Sequence, residues 1–272
     1  MITNHIALLL LFFIFFNRST AATVDTVQVY SPSMGKPIPT VVVRPENSKE
    51  QTIPTLYLLH GYSGNYANWV NMVPYIKTLV DRYRYQVVCP DGGYGSWYWD
   101  SPKDKNYQYE TFITKELLPY VESNYRVCTH KTGRGITGLS MGGHGALYLA
   151  IRHPELFAAV GSTAGGVDFR PFPNNWEIAE RLGASFAENK DLWSQNTVLE
   201  MLHLIKPGTL KLYIDCGTED FFYQVNQALH QKLTYYNIPH TYVSMPGKHD
   251  WSYWSQSILL QMAFFDHAFR NN

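Results

Sequence analysis

At about 150 residues per domain, a chain of 272 residues falls short of two, so one large α/β or all-β domain is expected. Lys plus Arg and Asp plus Glu both number 22, so the chain lacks the basic footprint of a phosphate-backbone binder and nucleic acid is not an expected partner. Hydrophobic residues at 45% against 16% charged exclude long disorder, and the 20 Tyr and 7 Trp suit half-buried rings or a cleft lined for sugars or aryl groups.

Ile6 to Phe16 is an unbroken apolar run, followed by polar Asn17 to Thr20 and then by Ala21 and Ala22. It is too short for a membrane-spanning helix, which needs about 20 residues, and it has the form of a secretory signal cleaved near Ala21 or Ala22. Residues 1–22 are therefore expected to be a signal peptide, with an uncleaved anchor as the alternative. The mature chain is expected to be secreted or periplasmic, with no stable membrane span.

From Thr23 to Val43 two β-rich runs flank a Ser-Pro/Gly turn and predict an antiparallel hairpin. Pro54 to Leu59 and Gln86 to Pro90 read as strands, with one helical pattern from Asn68 to Arg82 between them. Thr111 to Asn124 has helical spacing, which Pro119 distorts without ending. Gly135 to Leu139 is a strand running into Ser140, Met141 to His153 a helix stopped before Pro154, and Phe157 to Ser162 a strand. Leu210 to Asp215 and Thr241 to Met245 predict the last strands, each followed by a helix, Phe222 to Tyr236 and Ser252 to Phe269. This alternation predicts a mostly parallel central sheet with helices on both faces, led by the antiparallel hairpin. Residues 167–207 lack a strand pattern and form an expected insertion that could roof a site. Three cysteines, Cys89, Cys128 and Cys216, give no disulfide framework, and Cys89 and Cys216 are expected to be buried small hydrophobes. No CxxC or clustered His points to zinc, and no metal or organic cofactor is expected.

Gly138-Leu139-Ser140-Met141-Gly142 is a G-x-S-x-G in the context its chemistry needs, an apolar strand before the Ser and a small-residue helix start after it. A serine hydroxyl is a poor nucleophile until an imidazole takes its proton and a carboxylate fixes that imidazole's tautomer. Asp220, in the Cys216-Gly217-Thr218-Glu219-Asp220 loop leaving a strand, is the expected acid, with Glu219 as competitor and Asp215 placed too early to reach. His249, after the last strand, is the expected base. Two backbone N–H groups, those of Met141 and of Tyr62 in the early loop His60-Gly61-Tyr62-Ser63-Gly64, are expected to hold an oxyanion. His60 is expected to shape this loop or the site wall, or to contact substrate. His144 is expected to pack or cap, and His240 has no catalytic position. Trp97 and Trp99, in Asp91 to Pro102, are candidates to stack on a sugar or aryl ring, with support of their loop as the alternative. Trp251 and Trp254 are expected to support the His249 loop, with substrate contact as the alternative.

Together HGYSG, GLSMGGHGAL, CGTED and GKHDW resemble the putative-esterase branch of the α/β-hydrolases, which holds carbohydrate esterase family one (feruloyl and acetyl-xylan esterases), tributyrin esterases, S-formylglutathione hydrolases and mycolyltransferases. The resemblance runs from about Val27 to Phe269. It implies an α/β-hydrolase catalytic domain over residues 23–272, with the triad on Ser140, Asp220 and His249 and the oxyanion pair on Tyr62 and Met141. HGYSGNYANW departs from the Cys-containing loop of the formylglutathione enzymes, and WSYW after His249 resembles the tributyrin type. The expected function is a secreted serine carboxylesterase acting on a small-molecule or oligosaccharide ester, with acetyl or feruloyl groups on carbohydrate preferred. A generalist short-chain esterase or a formylglutathione-type thioesterase is the alternative within hydrolases. Outside them stand an acyltransferase and a glycan-binding module on the same scaffold.

Overall fold

The computed structural model describes residues 21–46, 48 and 51–271; the apolar run of the expected signal peptide lies outside them. Among the described residues an eight-stranded sheet has the order β1-β2-β4-β3-β5-β6-β7-β8. Its strands are β1 (Thr23–Ser31), β2 (Lys36–Arg44), β3 (Thr55–Leu59), β4 (Gln86–Pro90), β5 (Arg134–Gly138), β6 (Ala159–Thr163), β7 (Lys211–Gly217) and β8 (Thr241–Met245). β1 and β2 form the expected hairpin, turning at Gly35 (φ 64°), and β2 joins β4 antiparallel; every other pairing is parallel.

Strand alternation sends neighbouring side chains to opposite faces, and two cores result. Val41, Val43, Leu56, Leu58, Val87 and Cys89 point to one face and Val42, Tyr57, Leu59 and Val88 to the other. The central strands β3 to β6 are buried throughout, which is why β3 and β4 read as near-continuous apolar runs rather than alternating ones. The first face is covered by α1 (Asn68–Met72), α2 (Ile76–Tyr83) and α9 (Trp251–Arg270), through Trp69, Ile76, Val80, Ile258, Met262 and Phe265. The second is covered by α3 (Tyr109–Thr111), α4 (Leu118–Asn124), α5 (Met141–Arg152) and α8 (Tyr223–Tyr235). The insertion between β6 and β7 packs on this side as well, through α6 (Ile178–Leu182), α7 (Lys190–Gln195) and two 3₁₀ turns.

Two helical expectations meet proline with different outcomes. The single helix expected over Asn68 to Arg82 is two, because Pro74 has no N–H and forces Val73 out of the helical region, to φ −119° and ψ 82°. Pro119 lies inside continuous helical structure: Phe112–Leu117 widens into a π turn, with Leu118 N–H bonded to the Ile113 carbonyl, and α4 resumes with the proline near its start. Cys89 and Cys216 are buried free thiols, as their apolar strands predict, and Cys128 is free and half-buried.

Candidate active site

Ser140 joins the end of β5 to α5 in a backbone conformation of φ 56° and ψ −118°, a region that side chains avoid and that persists only where its surroundings enforce it. The Ser140 N–H donates to the Thr163 carbonyl (2.9 Å), while the N–H groups of His144 (3.0 Å) and Gly166 (3.2 Å) donate to the Ser140 carbonyl. The turn also needs room. A Cβ at Gly142 would lie 2.6 Å from the His60 carbonyl oxygen, so the helix start passes β3 only as glycine.

Asp220 and His249 arrive from the ends of β7 and β8, and their loops are tied by backbone bonds from Thr218 N–H to the Met245 carbonyl and from Glu219 N–H to the Gly247 carbonyl, each 2.9 Å. The result is one hydrogen-bonded chain. His249 Nδ1 is 2.7 Å from Asp220 Oδ2, and His249 Nε2 is 2.8 Å from Ser140 Oγ. With Nδ1–H donating to the carboxylate, Nε2 is left to accept the serine proton. The other oxygen, Asp220 Oδ1, accepts from the Phe222 N–H at 2.7 Å, and the side chain is wholly buried. Glu219 is exposed outside this chain, and Asp215 is buried within β7.

The loop after β3 runs against the serine: a Cβ on Gly61 would stand 3.3 Å from Ser140 Cβ. Among the described residues the N–H groups of Tyr62 and Met141 have no acceptor, leaving two donors free on the segments that converge there. His60 is not a wall residue. It is fully buried, with Nδ1–H donating to the Gly61 carbonyl (2.7 Å) and Nε2 accepting from Gly92 N–H (2.7 Å). Burial pushes its pKa down, which suits a neutral ring holding two loops together.

A cavity of about 340 Å³ opens on Ser140 and His249, walled by Tyr62, Trp176, Phe221, Trp251 and Trp254. Trp97 and Trp99, candidates for ring stacking on substrate, are absent from that lining and only 1% and 2% exposed. The reason is backbone: Trp97 and Tyr98 are both left-handed (φ 56° and 61°), which accompanies the turn of the two indoles into the body against His144 and Phe169. His144 is buried in that aromatic box, and desolvation pushes its pKa down to about 3. Trp254 lies edge-on to the His249 imidazole at 5.0 Å, Trp251 lies edge-on to Trp254 at 5.3 Å, and both face the cavity. Trp176, in the insertion, and Phe221, beside Asp220, were not singled out by the sequence; the aromatic, Pro-rich start of the insertion, FRPFPNNW, is the signal that marks the first of them.

Behind the site Asp215 anchors α9 to the sheet. Its carboxylate accepts from Ser257 Oγ (2.7 Å), Gln261 Nε2 (2.8 Å) and Thr163 Oγ1 (3.3 Å), and the carbonyl of the same Thr163 fixes the Ser140 N–H. Burial raises its pKa to about 6, against those hydrogen bonds. A carboxyl whose folded pKa exceeds its unfolded value of 3.8 adds stability fully present below pH 3.8, lost as pH rises through about 6. The swing is on the order of 3 kcal/mol. Asp215→Asn should therefore flatten the stability curve between pH 4 and pH 6 by about this amount, read as urea midpoints across that range. Parallel curves for variant and wild type would refute it.

Residues 31–265 match the family described as Putative esterase. An acetyl esterase of Caldicellulosiruptor saccharolyticus is 28% identical over 222 residues, covering 76% of this chain and 81% of the relative. A diacylglycerol acyltransferase/mycolyltransferase of Mycobacterium leprae is 35% identical over 192 residues, covering 64% of this chain and 54% of the relative. Among solved structures, a ferulic acid esterase superposes with a TM-score of 0.79 at 27% identity, over 91% of this chain and 98% of that one.

Proposed function

Because this chain belongs to the Putative esterase family, with the α/β-hydrolase fold, and is a carboxylic ester hydrolase, we propose that Ser140 is its nucleophile, His249 its base and Asp220 the carboxylate that orients the base. The observation that carries this reading is the chain of 2.7 Å and 2.8 Å hydrogen bonds ending at Ser140 Oγ on the cavity floor. In the first half-reaction Oγ bonds to the ester carbonyl carbon while its proton passes to His249 Nε2. The Asp220 carboxylate stabilises the imidazolium, and the Tyr62 and Met141 N–H groups hold the oxyanion. The carbon–oxygen bond to the alcohol then breaks, and the alcohol leaves with the proton from Nε2. Water repeats the sequence on the acyl-serine, releasing the acid and returning the proton to Ser140.

For substrate we propose short acyl or feruloyl esters of carbohydrate. The acetyl esterase and ferulic acid esterase relatives support this, as do the aromatic walls of the cavity. The apolar run from Ile6 to Phe16 supports export of the chain. The mycolyltransferase relative favours a second reading in which a sugar hydroxyl replaces water in the second half-reaction; product analysis with sugar acceptors separates the two. The nucleophile is tested by an alkyl fluorophosphonate. It should add one phosphonyl group, carried by the peptide containing Ser140, and the Ser140→Ala protein should take up none. Stoichiometric labelling elsewhere, with turnover lost, would overturn the assignment.

A further inference from the structure

The insertion places one residue at the site under visible strain. Trp176 and Glu177 are both left-handed, at φ 56° and 58°, a conformation that costs an ordinary residue about 1–2 kcal/mol and persists where surrounding contacts over-determine it. Those contacts can be named. The Trp97 indole N–H donates to the Trp176 carbonyl at 3.1 Å. The Glu177 carboxylate pairs at 3.2 Å with Arg181, whose guanidinium lies 3.7 Å over the Tyr107 ring. The Trp176 ring is stacked on Phe221 at 5.8 Å and 21°, and Phe221 lies 4.2 Å from the His249 imidazole. Both rings line the cavity, and Phe221 is 49% exposed.

We infer that the stacked Trp176–Phe221 pair is the platform for the alcohol half of the ester, that the alcohol it favours is carried on a ring with an apolar C–H face, such as a sugar, and that Trp97 is a positioning residue one layer behind it. This rests on the serine esterase reading. His249 Nε2 must come within hydrogen-bond reach of the departing alcohol oxygen, as it is of Ser140 Oγ. The group borne by that oxygen therefore leaves on the imidazole's side of the cavity, where Phe221 lies nearest and Trp176 extends its surface. Large aromatic surfaces of this kind meet the apolar face of a ring and contribute little to an open-chain alcohol.

The test compares kcat/KM for an acetylated xylo-oligosaccharide and for ethyl acetate, beside an acyl series from acetate to octanoate on one aryl alcohol. In Trp176→Ala the sugar-to-ethyl ratio should fall about three- to tenfold, chiefly through KM, with the acyl series keeping its slope. Phe221→Ala, at an exposed position, carries the same expectation should Trp176→Ala lose its fold. Trp97→Phe, which deletes the indole N–H, should move the ratio in the same direction by less, and Trp176→Phe should restore most of it. An unchanged ratio, or a shift confined to the acyl series, overturns the platform. Turnover surviving in Ser140→Ala would overturn the serine reading and the platform with it, whereas abolished turnover in Ser140→Ala with an unchanged ratio in Trp176→Ala overturns the platform alone.

Discussion

Ser140→Ala should lower turnover of an aryl acetate by about 10⁵–10⁶-fold while leaving the thermal midpoint close to that of the wild type. The activity loss follows from removing the oxygen that, among the described residues, is hydrogen-bonded to His249 Nε2: the remaining imidazole and oxyanion donors can act on water alone, at the small residual rate such sites retain. The small stability effect follows from the backbone. The strained turn at Ser140 is held by Thr163, His144 and Gly166 through main-chain atoms, none of which the substitution touches. Ala at φ 56° meets the same strain as Ser, so the change reduces to one side-chain hydrogen bond, about 1 kcal/mol. Turnover and unfolding should be measured on the same preparation. Activity within tenfold of wild type in a folded variant would remove Ser140 from the mechanism.

Why the three residues of this chain could be found without coordinates, while the cavity walls could not, is a matter of local against non-local chemistry. Ser140, Asp220 and His249 each follow a strand whose apolar run is visible, and each sits in a short loop of glycines and polar residues. Parallel strands deliver all such loops to one end of the sheet, so order along the chain already implies proximity. Trp97 and Trp99 sit in another loop of that end, yet their direction depends on two left-handed residues in a row that no glycine announces. His144 and Phe169, which receive them, come from α5 and the insertion. Trp176 and Phe221 meet for the same reason, a stack between an insertion without strand periodicity and the acid loop. His60 shows the limit in miniature: its role is set by Gly92, 32 positions away. The break at Pro74, by contrast, was open to local reasoning, since proline in mid-helix is the commonest cause of one.

Asp220→Asn should lower kcat by about 10⁴-fold, whereas Glu219→Gln should change it by less than about threefold. The two carboxylates are neighbours on one loop, so the pair of variants separates geometry from mere nearness of charge. Asp220 Oδ1 accepts the Phe222 N–H and Oδ2 faces His249 Nδ1. An asparagine there keeps its oxygen on the main-chain donor and turns its NH₂ toward the imidazole. Nδ1 must then become the acceptor, Nε2 carries the proton, and Ser140 Oγ faces a donor that cannot take its hydrogen. No solvent relieves this, because the side chain is fully buried. Glu219 is exposed, and its contribution to the loop is the backbone bond to Gly247, which Gln preserves. At its surface position the lost charge is screened by water and salt. Equal losses in the two variants would mean that the loop, and not the Asp220 carboxylate, carries the effect; a loss confined to Glu219→Gln would transfer the orienting role to Glu219.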